Sequence, residues 1–353
     1  MRKDQRIGTG LILALIALVG VGLWKTAGRH DRSRAAVVRR YQGVMGTRCQ
    51  MTAVVPRRSE PLAEAALAEA ESTLRSLETL LSTWIHDSEL SAFNAAPADE
   101  PVTLSVETLE VLQAARAANE QTGGAFDVTC RALIELWQRA AERGQPPDET
   151  ELHDAREASR WEFIELTDAG AVKRRDTARL DVDGIAKGYA IDRAADVLRR
   201  AGLDGGLVEI GGDLVCFGRP PQGETWTVGI QNPFGPGRLA ELRLAAGAVC
   251  TSGDYARGLT IAGRRYSHII DPRTSLPVEE VPSVTVVAPN ATTADVWATA
   301  LSVLGIEGVE RLPQGVEAML VVGTEDDHRV LCTAGFVELF EEAPENVEVM
   351  ESS

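Results

Sequence analysis

Leu180-Asp181-Val182-Asp183-Gly184-Ile185-Ala186-Lys187-Gly188-Tyr189 decides what kind of fold this chain can adopt. An apolar-acidic run, read as a strand end, enters a turn at Gly184. The turn opens a helix that carries Lys187 in its first turns and stops near Gly202. Helix starts present unpaired N–H groups and a positive dipole end, which suits an anion such as phosphate. Lys187 adds a point charge. The GxxxxGK[ST] spacing of a Walker loop is absent. A strand–turn–helix unit of this kind points to a mixed α and β fold that holds a phosphate-bearing ligand by a less common device.

Outward from that segment the same mixture continues. Residues 43–55 alternate as a strand with Cys49, Met51 and Ala53 on one face. Pro61 opens a long helix in which Leu67, Ala70, Leu74, Leu77 and Leu81 recur at three and four, the spacing of a core-facing helix. A second helix runs from about Ser105 to Asn119 and stops at Gly123-Gly124. Short strands follow around 162–182. Strands dominate from 206 to 288, a helix covers about 293–304, and strands close the fold near 317–332. Strands and helices without regular alternation predict an α+β fold and not a doubly wound sheet.

The whole chain sets outer bounds. It has 353 residues, 44% apolar and 25% charged, enough for one large core. A formal net charge of -16 argues against a nucleic-acid partner, because phosphate backbones require basic surface. Residues 7–24 carry no charge and follow the basic MRKDQR start, so 1–24 reads as an uncleaved signal-anchor long enough for one membrane span. Residues 25–40, rich in arginine, read as a linker, 41–340 as one domain and 341–353 as an acidic tail. Basic residues flank the span on both sides, so charge alone leaves its orientation open. The five cysteines are scattered without a CxxC and read as small packed thiols, with one disulfide open if the domain is exported.

Several short motifs carry chemistry. Asp295 and Thr299 stand at i and i+4 on one helix face and offer two hard oxygens, which suit Mg²⁺. A plain helix start would also favour the aspartate. In Tyr266-Ser267-His268-Ile269-Ile270-Asp271-Pro272 a histidine enters a short strand. It could be a general base or a structural hydrogen-bonder, whereas Asp271 before Pro272 reads as turn chemistry. Thr122 to Asp127, Val208 to Asp213 and Cys250 to Tyr255 each pass into a small-residue turn. Together with the Asp181–Gly188 segment they suggest a backbone-lined ligand site.

Met45-Gly46-Thr47, Ser82-Thr83-Trp84 with Asp87-Ser88-Glu89 and Phe93-Asn94, Gly124 to Asp127, Asp181 to Gly188, Gly211-Gly212-Asp213, Thr251 to Tyr255, His268 to Pro272 and Ala294-Asp295 with Thr299 occur in this order. The set resembles the ApbE family of FAD:protein FMN transferases over about residues 41–323. The resemblance implies a single domain of mixed sheets and helices. It implies transfer of FMN from FAD to a threonine or serine hydroxyl of a target flavoprotein, with AMP released. FAD contacts would come from Met45, Trp84, Ala125, Phe126, Asp127, Asp181, Lys187 and Ile269. Mg²⁺ would be held by a carbonyl near Gly184 with Asp295 and Thr299, and His268 would act as base. Ala298 stands where some members carry a further acid, and Ser275 where the family usually has glycine. The resemblance also implies a catalytic domain outside the cytoplasmic membrane, anchored by its N-terminus. An FAD pyrophosphatase and a non-catalytic flavin-binding protein remain as alternatives.

Overall fold

The computed structural model describes residues 34–253, 258–278 and 281–350. The expected anchor at 1–24, and Asp254 and Tyr255 of the Thr251–Tyr255 motif, lie outside the described residues. Among the described residues no helix is long and apolar enough to cross a membrane.

Nine strands form one sheet whose spatial order is their order in the chain: β1 (Arg34–Val44), β2 (Thr47–Pro56), β3 (Gly205–Ile210), β4 (Asp213–Gly218), β5 (Gly247–Gly253), β6 (Ser283–Ala288), β7 (Glu317–Gly323), β8 (His328–Cys332) and β9 (Val347–Val349). Neighbours pair antiparallel except β8 and β9. Helices Glu60–Leu81, Asp183–Arg200 and Ala291–Leu304 pack on one face. The opposite face carries a small sheet of Trp226–Gln231, Arg238–Leu244 and Phe340–Glu342.

Period two sorts the central strands between these layers. Val284 and Val286 of β6 and Ala318 and Leu320 of β7 join the helical core. Val287, Met319 and Val321 join the core under the small sheet. Alternate side chains of a strand point to opposite faces, so a sheet covered on both sides reads as a nearly continuous apolar run. A third cluster holds Leu133, Leu136 and Trp137 of helix Arg131–Arg143 against Ile261 and Ile270.

The edges correct two expectations. Residues 34–40, expected in a linker, belong to β1, and 347–349, expected in an acidic tail, form β9. Both are edge strands, which carry charge on their open side and so look hydrophilic in sequence. Arg40 donates to Gln50 across the β1–β2 pair, and Arg329 of β8 pairs with Glu348 of β9. Leu180–Val182, expected as a strand end, is an irregular segment; the strands before it are Ile164–Thr167 and Gly170–Lys173. His268 likewise stands in the loop between Arg264–Tyr266 and Ile270–Asp271, not in a strand. All five cysteines are free thiols. Burial raises the Cys49, Cys216 and Cys332 thiols to about 12, which keeps them neutral and inert.

Ser275 supports the turn that Asp271-Pro272 begins. Its φ is 68°, a left-handed conformation that glycine adopts most cheaply. Here Ser275 N–H donates to Asp271 O, Trp137 Nε1 donates to Ser275 O and Arg156 Nε donates to Ser275 Oγ. Those bonds hold the serine where the resemblance expects glycine. Asp271 accepts from the Arg273 backbone and guanidinium, as turn chemistry requires.

Candidate active site

The helix that begins at Asp183 is set in place from both sides of its entry. Asn94 clamps the Leu180 backbone, donating to its carbonyl and accepting from its N–H. Asp181 N–H donates to Val128 O. The Asp181 carboxylate then turns back: Oδ1 accepts from Asp183 N–H at 3.1 Å and Oδ2 accepts from Arg131 Nη1 at 2.9 Å. The first helical N–H, expected to meet a ligand phosphate, is thus taken by the protein's own carboxylate. This cap satisfies an orphan donor that every helix start presents.

The second helix of the site, Ala291–Leu304, is capped twice. Asn290 Oδ1 accepts from Thr293 N–H, and Asp192 of the neighbouring helix accepts from the N–H groups of Ala291 and Thr292. The two helices cross at Gly188. A Cβ there would lie 2.3 Å from Ala291 O and 2.8 Å from Asp295 Cβ, so only glycine permits the approach. That approach lets Gly188 N–H donate to Asp295 Oδ2 at 2.9 Å. One turn earlier, a Cβ on Gly184 would meet the Phe126 ring at 3.1 Å and Thr299 Oγ1 at 3.3 Å. Gly184, Asp295 and Thr299 are therefore neighbours, although the first is more than a hundred residues from the others.

Lys187 projects between two buried carboxylates. Its ammonium is hydrogen-bonded directly to Asp213 Oδ2 and stands 3.6 Å from Asp295 Oδ1. Asp213 Oδ1 accepts from Thr251 N–H at 2.9 Å. Burial works against the ammonium, but the two carboxylates outweigh it and hold Lys187 charged well above the usual lysine range. Burial pushes the Asp295 carboxyl up, with Asp213 adding to the rise and Lys187 opposing it. Two carboxylates against one ammonium leave a net negative centre.

A cavity of about 560 Å³ opens over these groups. Trp84, Ala125, Phe126, Asp127, Asp181, Gly184, Lys187, His268, Ile269, Asp295 and Thr299 all line it. Met45 does not. It occupies the two-residue β1–β2 turn with φ 50° and packs partly on the core, while Thr47 from the same hairpin reaches the cavity. Trp84 is 74% exposed at the rim, with the Arg131 guanidinium 5.9 Å from its ring centroid. The Phe126 segment follows two left-handed glycines that end helix Val106–Thr122, and Asn119 fixes it by donating to Phe126 O. Asp127 accepts from the Thr129 backbone and hydroxyl, yet burial raises its carboxyl to about 6.

Two site residues were not singled out by the sequence reading. Asp213 appeared only as the end of a glycine turn; its pairing with Lys187 spans β4 and a helix. Arg131 bears on Asp181, Glu135 and the Thr83 hydroxyl together. A basic residue opening an amphipathic helix gives no local signal of such a role.

The hard-oxygen set fits Mg²⁺. Among the described residues no three His, Cys, Asp or Glu side chains form a cage for a metal. Mg²⁺ does not need one, since it binds through one or two carboxylates with water and substrate phosphates. Asp295, Thr299 and the nearby Gly184 backbone offer that partial set at the edge of the cavity.

The ApbE family model matches residues 45–320. An FAD:protein FMN transferase of Treponema pallidum is 33% identical over 328 residues, covering 87% of this chain and 90% of its own. Another, of Vibrio cholerae, is 35% identical over 277 residues, covering 76% and 82%. The solved structure of the flavin transferase ApbE from Vibrio cholerae superposes with a TM-score of 0.75 at 30% identity, over 87% of this chain and 99% of that one. The ApbE protein of Thermotoga maritima gives 0.76 at 30% identity, over 87% and 100%. By sequence over most of its length, and by fold, the chain belongs to the ApbE family.

Proposed function

We propose that this protein transfers FMN from FAD to a threonine or serine hydroxyl of a target protein, releasing AMP. The observation that carries the reading is the convergence, in one cavity, of aromatic surface at Trp84 and Phe126 with the oxygens of Asp295, Thr299 and Gly184. Aromatic faces suit a flavin or adenine ring, and hard oxygens suit the cation that accompanies a pyrophosphate. Relatives named FAD:protein FMN transferase support the same assignment.

Asp295 and Thr299 side chains and the Gly184 backbone would hold Mg²⁺. When bound, the ion would neutralise phosphate oxygens and stabilise charge developing on the departing AMP. The protein's own groups do the rest. Asp181, fixed by Arg131 and the helix start, orients the FAD. Phe126 and Ile269 exclude water from the buried side of the cavity. The acceptor oxygen attacks the FMN-side phosphorus as the bond to AMP breaks, and His268 takes the hydroxyl proton. A loose transition state needs little help from a base, so loss of His268 costs less than loss of Asp295.

The assay is covalent flavin on an acceptor protein, read by in-gel fluorescence and by the mass of the FMN adduct, with FAD and Mg²⁺ supplied. Strong labelling by Asp295→Ala without added metal would refute the assignment. Release of free FMN and AMP at full rate without acceptor would identify a hydrolase instead. We place the domain on the outer face of the cytoplasmic membrane, anchored by residues 7–24, with redox-complex flavoproteins as acceptors. Protease accessibility in spheroplasts tests that placement: a domain protected until lysis would overturn it.

A further inference from the structure

We propose that Asp213 is a positioning residue that holds the Lys187 ammonium off Asp295, leaving Asp295 available to a divalent cation. The inference rests on the reading of Asp295 as a metal ligand.

Lys187 and Asp295 belong to helices locked together at Gly188, so the lysine cannot be far from the carboxylate. A buried ammonium beside a buried carboxylate closes into a direct ion pair unless something competes for it. Here Asp213 competes. Its side chain is almost fully buried, and the Thr251 N–H fixes Oδ1 so that Oδ2 faces the ammonium. Lys187 hydrogen-bonds to Asp213 and meets Asp295 Oδ1 only at an ion-pair distance of 3.6 Å, longer than a hydrogen bond. Asp295 accepts from Gly188 N–H and lines the cavity together with Thr299 and Gly184. The lysine thus offsets part of the negative charge of the centre without occupying the carboxylate.

Asp213→Asn separates this role from packing. An asparagine oxygen can still accept from Thr251 N–H, but its amide then turns a donor toward the ammonium. Lys187 would close on Asp295, and a cation would have to displace it.

The experiment titrates Mn²⁺ into the full-length protein saturated with FAD, without acceptor, and reads free Mn²⁺ by electron paramagnetic resonance. Asp213→Asn is expected to weaken Mn²⁺ binding at least about tenfold, the scale of one charge-assisted hydrogen bond. Lys187→Met is expected to bind at least as tightly as the parent. The double variant is expected to match Lys187→Met within about twofold. An undiminished affinity in Asp213→Asn overturns the proposal. So does the same tenfold loss in the Lys187→Met background, which would mark Asp213 as a mere nearby charge. Asp295→Asn tests the underlying reading separately: if it binds Mn²⁺ like the parent, the metal assignment fails, whatever Asp213 does. Melting curves accompany each variant. If Asp213→Asn does not fold, Asp213→Ser is titrated in its place, with the same expectations.

Discussion

Gly188→Ala sets two physical effects of opposite sign against each other. Helix propensity alone favours alanine by about 1 kcal/mol. The crossing of the two site helices opposes it. The added methyl would sit 2.3 Å from Ala291 O and 2.8 Å from both Ala291 C and Asp295 Cβ. Two of these are backbone atoms, so rotamer changes cannot relieve them. The helices must part by roughly 1 Å before the contacts become ordinary. The Gly188–Asp295 hydrogen bond, 2.9 Å now, would then exceed hydrogen-bond length. Losing a bond to a buried carboxylate costs about 1.5–3 kcal/mol. Overpacking adds about 1–3 kcal/mol. After the propensity gain, about 3 kcal/mol of destabilisation remains, a fall in Tm of roughly 4–5 °C for a chain of this size. Thermal melts of both proteins without FAD give the answer directly. An unchanged or raised Tm would refute the reasoning, because the close crossing would then not be what requires glycine. Asp295 moves with the parted helix, so the Mg²⁺ concentration for half-maximal transfer is expected to rise as well.

Trp84→Ala is expected to leave Tm within about 1 °C, since the side chain is mostly exposed, while FAD affinity measured by flavin fluorescence falls about three- to tenfold for the lost stacking surface. Asp127 carries a folded-state pKa raised by burial from 3.8 to about 6, so the stability it contributes is present below pH 4 and is lost as pH rises through 6. Asp127→Asn is therefore expected to match the parent's Tm near pH 4 and exceed it at pH 7–8; a Tm advantage that shrinks as pH rises would contradict the sign. Ser275→Gly removes a left-handed strain of about 1–2 kcal/mol and a hydrogen bond from Arg156 worth about 0.5–1.5 kcal/mol, so chemical denaturation is expected to show a change below about 1 kcal/mol; a larger loss would mean that the Arg156 contact dominates the turn.

Much of the architecture was legible because its signals are local. The Leu67–Leu81 stripe is buried along helix Glu60–Leu81, as its spacing requires. Ser105 caps the helix that Gly123 ends in a left-handed conformation. Asp295 and Thr299 share a helix face by the geometry of four residues. The edge strands were not legible. In Arg34–Val44 and Val347–Val349 the charges that protect an open edge conceal the alternation that marks a strand. Nor was it legible that Leu180–Val182 is irregular, because what holds it there is Asn94, more than eighty residues earlier.

The sequence by itself determined the family, the α+β character and the chemical types gathered at the site, since each depends on residue identity in short ordered motifs. The tertiary structure decided which of those groups face one another. It lined the cavity with Thr47 and not Met45, gave the first helical N–H to Asp181 and set Lys187 between Asp213 and Asp295. The reason is that pairing of buried charges and close helix crossing depend on distance in space. Residues 188 and 295 meet because one glycine lets two backbones approach, and nothing in the neighbourhood of either records the other.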